Sequence, residues 1–115
     1  MYSINLISYF RRDIKKILKK YPNIHKDCLS LIDQLEKGVF EDDKIQGFDN
    51  KIFKARVGSS DQKKGKREGF RVIYYVSVPK KTIYLCSIFA KAKQKNIAQS
   101  KIEKILQSLK ETENL

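Results

Sequence analysis

Apolar residues recur along the first third of the chain at a spacing typical of helices. A short apolar run at residues 2–7 predicts an edge strand, and a 3.6-residue period then predicts two helices in succession. Pro22 ends the first helix, Asn23 offers an N-cap for the second, and Gly38 closes it. Two neighbouring helices with one apolar face each predict a helix hairpin. The positions that define the two faces are Phe10, Ile14, Ile17, Leu18 and Tyr21, then Ile24, Cys28, Leu31, Ile32 and Leu35.

From Ile52 onward the apolar period changes to two, which is typical of strands. Three runs follow, from Ile52 to Val57, at residues 69–77 and at residues 82–89, with turn residues between the last two. They predict an antiparallel meander. Val39 to Lys51, which lies before the first run, is acidic and is interpreted as a loop that carries no chemistry.

Side-chain parity in these strands places basic residues together. Lys54 and Arg56 alternate with apolar neighbours, so both face away from the core side of their strand. In the next strand Arg71 and Tyr75 face away from the core, whereas Tyr74 faces it. Arg71 is therefore predicted to share a face with Arg56.

The C-terminal segment has helical periodicity again. Asn96 and Gln99 have the spacing of a capping box, and the polar tail after Lys110 is expected to fray. The apolar positions of this helix are Ala98, Ile102, Ile105, Leu106 and Leu109. The whole order is strand, helix, helix, three strands and helix, which predicts one α+β domain over residues 1–115 with helices packed on an antiparallel sheet.

Positive charge is concentrated in one segment of the chain. The formal net charge is +12, and residues 51–71 hold eight Lys or Arg against Asp61 and Glu68. A focused charge of this kind indicates a polyanionic partner, with nucleic acid first and an anionic membrane surface second. The alternative is that lysines only solubilise the fold, and this is the preferred interpretation of four lysines in the first helix: Lys15, Lys16, Lys19 and Lys20.

Other candidate chemistry is sparse. Cys28 and Cys86 lack a CxxC partner and are expected to be reduced core residues, while His25 is expected to face solvent at a helix start. Asp42 and Asp43 are expected to be solvated and distant from the basic face. No metal-binding or nucleotide-binding motif is present, and no apolar run approaches the roughly 20 residues of a membrane span, so a cytosolic protein is expected.

Cleavage of RNA needs little beyond fixed cations. A 2′-hydroxyl can attack the neighbouring phosphate, so an enzyme has to align that attack and stabilise the dianionic phosphorane. The planar guanidinium of Arg matches two phosphate oxygens and keeps its charge, whereas a crowded Lys can lose a proton.

Three motifs together resemble the RelE/ParE superfamily of toxins from bacterial type II toxin–antitoxin systems, in particular the HigB-like branch of the RelE toxins. They are IFKARVG at 52–58, GKREGFRVIYY at 65–75 and IYLCSIFAK at 83–91. The resemblance implies the RelE-like fold and a metal-independent mRNA endoribonuclease, without cofactor, that enters the ribosomal A site. It also implies a cognate antitoxin protein as partner.

The resemblance implies roles for individual residues. Arg56, Arg71 and Lys91 would form the catalytic cluster around the scissile phosphate. Phe89 stands where many relatives have Tyr, and Ala92 stands where some carry a second basic residue. Further contacts to RNA would come from Lys54, Lys63, Lys64, Lys66, Arg67, Tyr75 and Lys93.

Two other functions remain open at this point. A ParE-like relative would use the same scaffold to poison DNA gyrase, and a non-catalytic module would bind RNA without cutting it. The dense basic loop favours the RNA-cutting enzyme, because a gyrase-binding protein has no need of strand-borne cations beside a phosphate.

Overall fold

The computed structural model describes residues 1–115, arranged around one five-stranded sheet with three helices. The predicted order of elements is confirmed, with one two-residue strand added. In chain order the elements are β1 (Ser3–Leu6), α1 (Ser8–Lys20), α2 (Ile24–Glu36), β2 (Asp43–Lys44), β3 (Ile52–Val57), β4 (Phe70–Ser77), β5 (Thr82–Ala90) and α3 (Gln99–Glu113).

The sheet has the spatial order β1-β5-β4-β3-β2. The meander of β3, β4 and β5 is antiparallel as predicted, and β1 is an edge strand as predicted. The expectation of a wholly antiparallel sheet is wrong, because β1 runs parallel to β5, with Ser3 opposite Thr82 and Leu6 opposite Leu85. The helix hairpin and strands β2 to β4 separate β1 from β5 in the chain. A connection of this length lets β1 and β5 run in the same direction, which a tight turn would not.

Helices cover both faces of the sheet. The hairpin of α1 and α2 packs on one face, where Phe10 and Leu31 join a core cluster with Tyr74 of β4, and α3 packs on the other through Ile102 and Ile105. The register of β4 and β5 shifts opposite Ile73 and Tyr74, which changes the side-chain parity of β5. Because of that shift, Tyr84, Cys86 and Phe89 all belong to the core under α3.

The acidic segment lies beside the basic strand, contrary to expectation. Asp43 is the cross-strand partner of Lys54, and Asp42 accepts a 2.7 Å hydrogen bond from the hydroxyl of the buried Tyr74. Burial, followed by this hydrogen bond, raises the pKa of the Tyr74 hydroxyl well above its usual range. The segment therefore runs along the outer edge of β3, where Tyr74 supplies a donor that needs an acceptor.

Helix ends differ from their sequence signatures in two places. The predicted capping box is wrong, because the N-cap of α3 is Ala98 and Asn96 Oδ1 instead accepts the N–H of Ile97. Asn23 is the N-cap of α2 but makes no side-chain cap bond, since both its backbone N–H and its amide donate to Asp61. The spacing of residues near a helix end cannot predict this bond, because Asp61 lies 38 residues from Asn23 in the chain.

The C-terminal tail is ordered by contacts with the rest of the fold. The last helix continues to Glu113, whose carboxylate accepts a 3.0 Å hydrogen bond from the Asn5 amide, and Leu115 packs against the core under α3. The expectation of a fraying tail is therefore wrong. No helix has the length and apolar character that crossing a membrane requires.

Both cysteines are buried and free, and His25 is exposed in the first turn of α2, as predicted. Burial raises the pKa of the Cys28 thiol to about 11, with the charge of Asp27 adding to the effect. Burial also raises the pKa of Cys86 to about 12. Both thiols are therefore protonated at neutral pH.

Candidate nucleic-acid interface

Basic side chains collect where β3 ends, β4 begins and β5 ends. Arg56 and Arg71 are direct cross-strand partners, as parity predicted. The backbone N–H of Lys91 donates to the carbonyl of Gly69 at 3.0 Å, so the residue after β5 docks beside the start of β4. We call this region, comprising Arg56, Arg71, Lys91 and the loop 63–68, the basic end of the sheet.

Arg56 faces solvent at the end of β3. Its side chain is 55% exposed, and its guanidinium Nη2 lies 3.7 Å from Asp43 Oδ2. It lines a cavity of about 290 Å³ together with Lys54, Lys66 and four acids, which are Asp27, Glu41, Asp42 and Asp43. An exposed ion pair at this distance is weak and exchangeable, so the guanidinium is available to another anion.

Arg71 is buried and bonded to the loop that precedes it. The residue is only 5% exposed, with Nη1 donating to the carbonyls of Lys66 and Phe70 at 2.9 and 3.1 Å. Its Nη2 donates to the carbonyl of Arg67 at 2.7 Å. Burial, and then the charge of Arg56, lower the pKa of the Arg71 guanidinium. Arg71, which is the cross-strand partner of Arg56, therefore fixes the backbone of the loop that precedes β4.

Lys91 is partly covered and paired with an acid of the same loop. Its Nζ lies 3.2 Å from Glu68 Oε1, and its side chain is 33% exposed. The hydrogen bond from Lys91, followed by its charge, lowers the pKa of the Glu68 carboxyl. The pair links the end of β5 to the loop and leaves the Lys91 ammonium free to donate to a second acceptor.

The remaining predicted RNA contacts divide into two groups. Lys63 and Lys64 belong to a tight loop closed by paired backbone bonds between Ser59 and Lys64, of 2.8 and 2.9 Å, and Lys66 and Arg67 are exposed in the same loop. Lys93 is exposed in the turn that follows β5, two residues beyond Lys91.

Tyr75 is not brought to the basic end. It does lie on the predicted face, but four residues from Arg71, which is roughly 13 Å along a strand. There its ring centroid lies 6.3 Å from that of Tyr84, near the C-terminal Leu115. Side-chain parity gave the correct face without giving the position along it.

Sequence reasoning missed the two carboxylates of the basic end. Asp43 and Glu68 each hold one of the predicted cations, and only Glu68 was signalled by its place within the basic loop. Asp43 had no local signal, because its contact depends on β2 pairing with β3. No three side chains of metal-ligating type lie close enough together to hold an ion.

Comparison with known proteins finds likeness in structure alone. No family model and no curated protein matches the sequence. The fold of E. coli toxin RelE, solved in the free state as a double arginine mutant, aligns with a TM-score of 0.55 at 18% identity, covering 94% of this chain and 97% of RelE. The isolated E. coli RelE toxin aligns with a TM-score of 0.51 at 16% identity, covering 95% of this chain and 100% of RelE.

A third solved structure agrees with these two. The conserved hypothetical protein HP0892 from Helicobacter pylori aligns with a TM-score of 0.52 at 14% identity, covering 81% of this chain and 98% of that protein. Because the likeness spans nearly the full length of each of these proteins, it concerns the complete domain. The chain therefore has the fold of the RelE toxins.

Proposed function

We propose that this protein is the toxin of a type II toxin–antitoxin system, acting in the cytoplasm as a ribosome-dependent, metal-independent mRNA endoribonuclease that inhibits translation. The observation that carries the proposal is the exposed Arg56 at the basic end, which lines a cavity with Lys66 and lies opposite Arg71, on a RelE fold. A cognate antitoxin would silence the protein by covering this positive surface with complementary acids.

The chemistry requires charge stabilisation more than a strong nucleophile. The RNA 2′-hydroxyl attacks the adjacent phosphorus, the bond to the 5′-oxygen breaks, and the products are a 2′,3′-cyclic phosphate and a free 5′-hydroxyl. Arg56 would hold two oxygens of the phosphorane with its planar fork, and Lys91 would donate to the same group. The energetic gain arises because the phosphorane carries more charge than the phosphodiester.

Arg71 has a different part in this proposal. The family resemblance implied a direct phosphate contact, whereas its hydrogen bonds to the loop carbonyls of Lys66 and Arg67 and to the carbonyl of Phe70 support a positioning role. By donating to the carbonyls of Lys66 and Arg67, Arg71 would hold the loop in place for RNA binding. Its positive charge also lies opposite Arg56 and adds to the potential there.

Primer extension on a defined mRNA tests the activity. Purified translation reactions, with and without ribosomes, would receive the wild type, Arg56→Ala or the matched control Lys110→Ala, which removes an exposed charge near the far end of α3. We expect new 5′ ends within codons only when ribosomes are present, and a loss of about a hundredfold or more in rate for Arg56→Ala. Full activity of Arg56→Ala would contradict the assignment.

The same experiment separates the other two functions. A gyrase poison would leave the mRNA intact and inhibit DNA supercoiling instead. A non-catalytic module would bind RNA with a salt slope of roughly −0.7 per neutralised phosphate and leave it uncut.

The role of Arg71 requires a structural readout beside the rate. A positioning residue predicts that Arg71→Ala loses both cleavage and the hydrogen-exchange protection of the loop amides at residues 66–70. Loss of cleavage with unchanged protection would instead indicate that Arg71 contacts the phosphate directly.

A further inference from the structure

The outer face of α1 is a second basic surface, on the opposite side of the sheet from Arg56. Its basic residues recur at intervals of four, so they form two adjacent rows along about 12 Å of helix. All six are exposed, and none lies within ion-pair distance of a carboxylate. They are Arg11, Arg12, Lys15, Lys16, Lys19 and Lys20.

The one acid of α1, Asp13, forms an ion pair with none of these cations. Asp13 is turned inward, where its carboxylate accepts from the Ser87 hydroxyl at 2.8 Å and from the Ile88 N–H at 3.2 Å. The helix dipole favours cations in the last turn, which accounts for Lys19 and Lys20 but not for the basic residues nearer the N-terminus. The helix dipole therefore leaves four of the six positive charges on this face unexplained.

A cavity next to this face is lined by cationic and apolar residues together. It measures about 300 Å³ and lies between the C-terminal half of α1 and the end of β5. Lys16, Lys20 and Lys93 line it, and Tyr21 and Ile88 add apolar surface. Asp13 is the one acid in the lining, so three cations outnumber it there. Ammonium groups beside aromatic and aliphatic surface suit a phosphate joined to a sugar and base, as in proteins that bind single-stranded nucleic acid.

The tertiary structure changes the interpretation of two lysines. Lys16 and Lys20 were expected only to solubilise a helix, whereas the fold places them with Lys93, which is more than 70 residues away in the chain. Lys93 follows Lys91 by two residues, so this cavity and the basic end adjoin the same turn after β5. A strand of RNA that leaves Arg56 across Lys91 would reach the cavity next.

We infer that the cavity formed by Lys16, Lys20 and Lys93 binds the sugar–phosphate backbone of RNA flanking the cleaved phosphate. This inference rests on the proposed function, since it places a second part of the same RNA on the opposite side of the sheet. The site contributes affinity and register, and it takes no part in the chemical step.

Binding of a non-cleavable RNA tests this site apart from catalysis. The probe is a fluorescent 2′-O-methyl oligonucleotide, titrated at several salt concentrations while its anisotropy is measured. The test variant carries Lys16→Gln, Lys20→Gln and Lys93→Gln. The control variant loses the same charge at exposed positions elsewhere, through Lys26→Gln, Lys104→Gln and Lys110→Gln.

We expect the salt slope of the test variant to fall by about 2, which is the loss of three phosphate contacts at roughly 0.7 each, and that of the control to change by less than about 1. Arg56→Ala should keep binding through this cavity while losing cleavage. An equal change in both triple variants would overturn the inference, because the effect would then follow net charge alone.

Other outcomes separate this inference from the proposed function. Wild-type slope in the test variant, with cleavage intact, would overturn the cavity site and leave the endoribonuclease standing. Absence of oligonucleotide binding by the wild type would overturn the cavity site, and it would overturn the proposed function as well only if cleavage on ribosomes were also absent. Binding to phosphatidylserine vesicles that depends on these lysines, without a change in RNA binding, would assign the surface to a membrane instead.

Discussion

Gly69 lies just before β4, packed against the backbone at the end of β3, and replacing it with Ala should destabilise the protein. An added Cβ would lie 2.2 Å from the Val57 carbonyl oxygen and 3.0 Å from Gly58 Cα. Real contacts of a Cβ essentially never fall below 3.0 Å. The obstructing atoms are backbone, so a side-chain rotation cannot relieve the clash and one strand must move.

The cost can be set from this geometry. Overpacking that forces backbone shifts costs about 1–3 kcal/mol, and in a domain of this size each kcal/mol lowers Tm by about 4 °C. The Gly69 carbonyl also accepts the N–H of Lys91, so a displaced Gly69 moves a residue of the basic end. We therefore expect Gly69→Ala to lower Tm by about 4–12 °C and to reduce RNA cleavage as well.

Urea unfolding followed by circular dichroism measures the change in the free energy of unfolding. Gly65→Ala is the matched control, because no atom lies within 4 Å of its added Cβ and its φ is not positive. The free energy of unfolding of that control should be unchanged or higher by up to about 1 kcal/mol, because Ala makes the unfolded chain less flexible. Equal stability of the two variants would refute the close approach of β3 to Gly69.

Three further predictions follow from other contacts. Asp43→Asn should raise RNA affinity up to about fivefold, because it removes an anion that competes with RNA for Arg56. The factor follows from an exposed ion pair worth at most about 1 kcal/mol. An equal rise in affinity in an Arg56→Ala background would contradict this cause. Tyr74→Phe should cost about 1.5–3 kcal/mol in urea unfolding, since the Asp42 carboxylate loses the hydrogen bond that the Tyr74 hydroxyl donates to it, and wild-type stability would argue against that bond. Cys28 and Cys86 should resist iodoacetamide at pH 8 until the protein unfolds, and rapid labelling of the folded protein would count against their burial. Because folding raises the pKa of both thiols from 9.0, the free energy of unfolding should fall as pH rises above about 9.

Elements with a clear period were predictable because the direction of each side chain depends on its own strand or helix alone. The period of two assigned Lys54, Arg56 and Arg71 to one face, and the register of β3 and β4 places the two arginines opposite each other. The 3.6-residue period gave all three helices. Local signals for helix ends were weaker, because Asn23 found its partner in Asp61 instead of in its own helix.

Contacts between distant segments were beyond any local pattern. The shift in register that puts Tyr84 and Phe89 on the same face appears only when β4 and β5 pair. Likewise, the sequence could not predict that Arg71 is buried and Arg56 exposed, since both are basic residues at strand ends.

The sequence by itself determined the helices, the meander, the buried thiols and the collection of cations on one face, since each depends on periodicity or composition. Only the tertiary structure decided that β1 runs parallel to β5, that Asp43 faces Arg56, and that Lys16 and Lys93 share a cavity. The physical reason is that these contacts join residues far apart in the chain. Their free energy depends on packing and burial that exist only once the sheet and its helices have assembled.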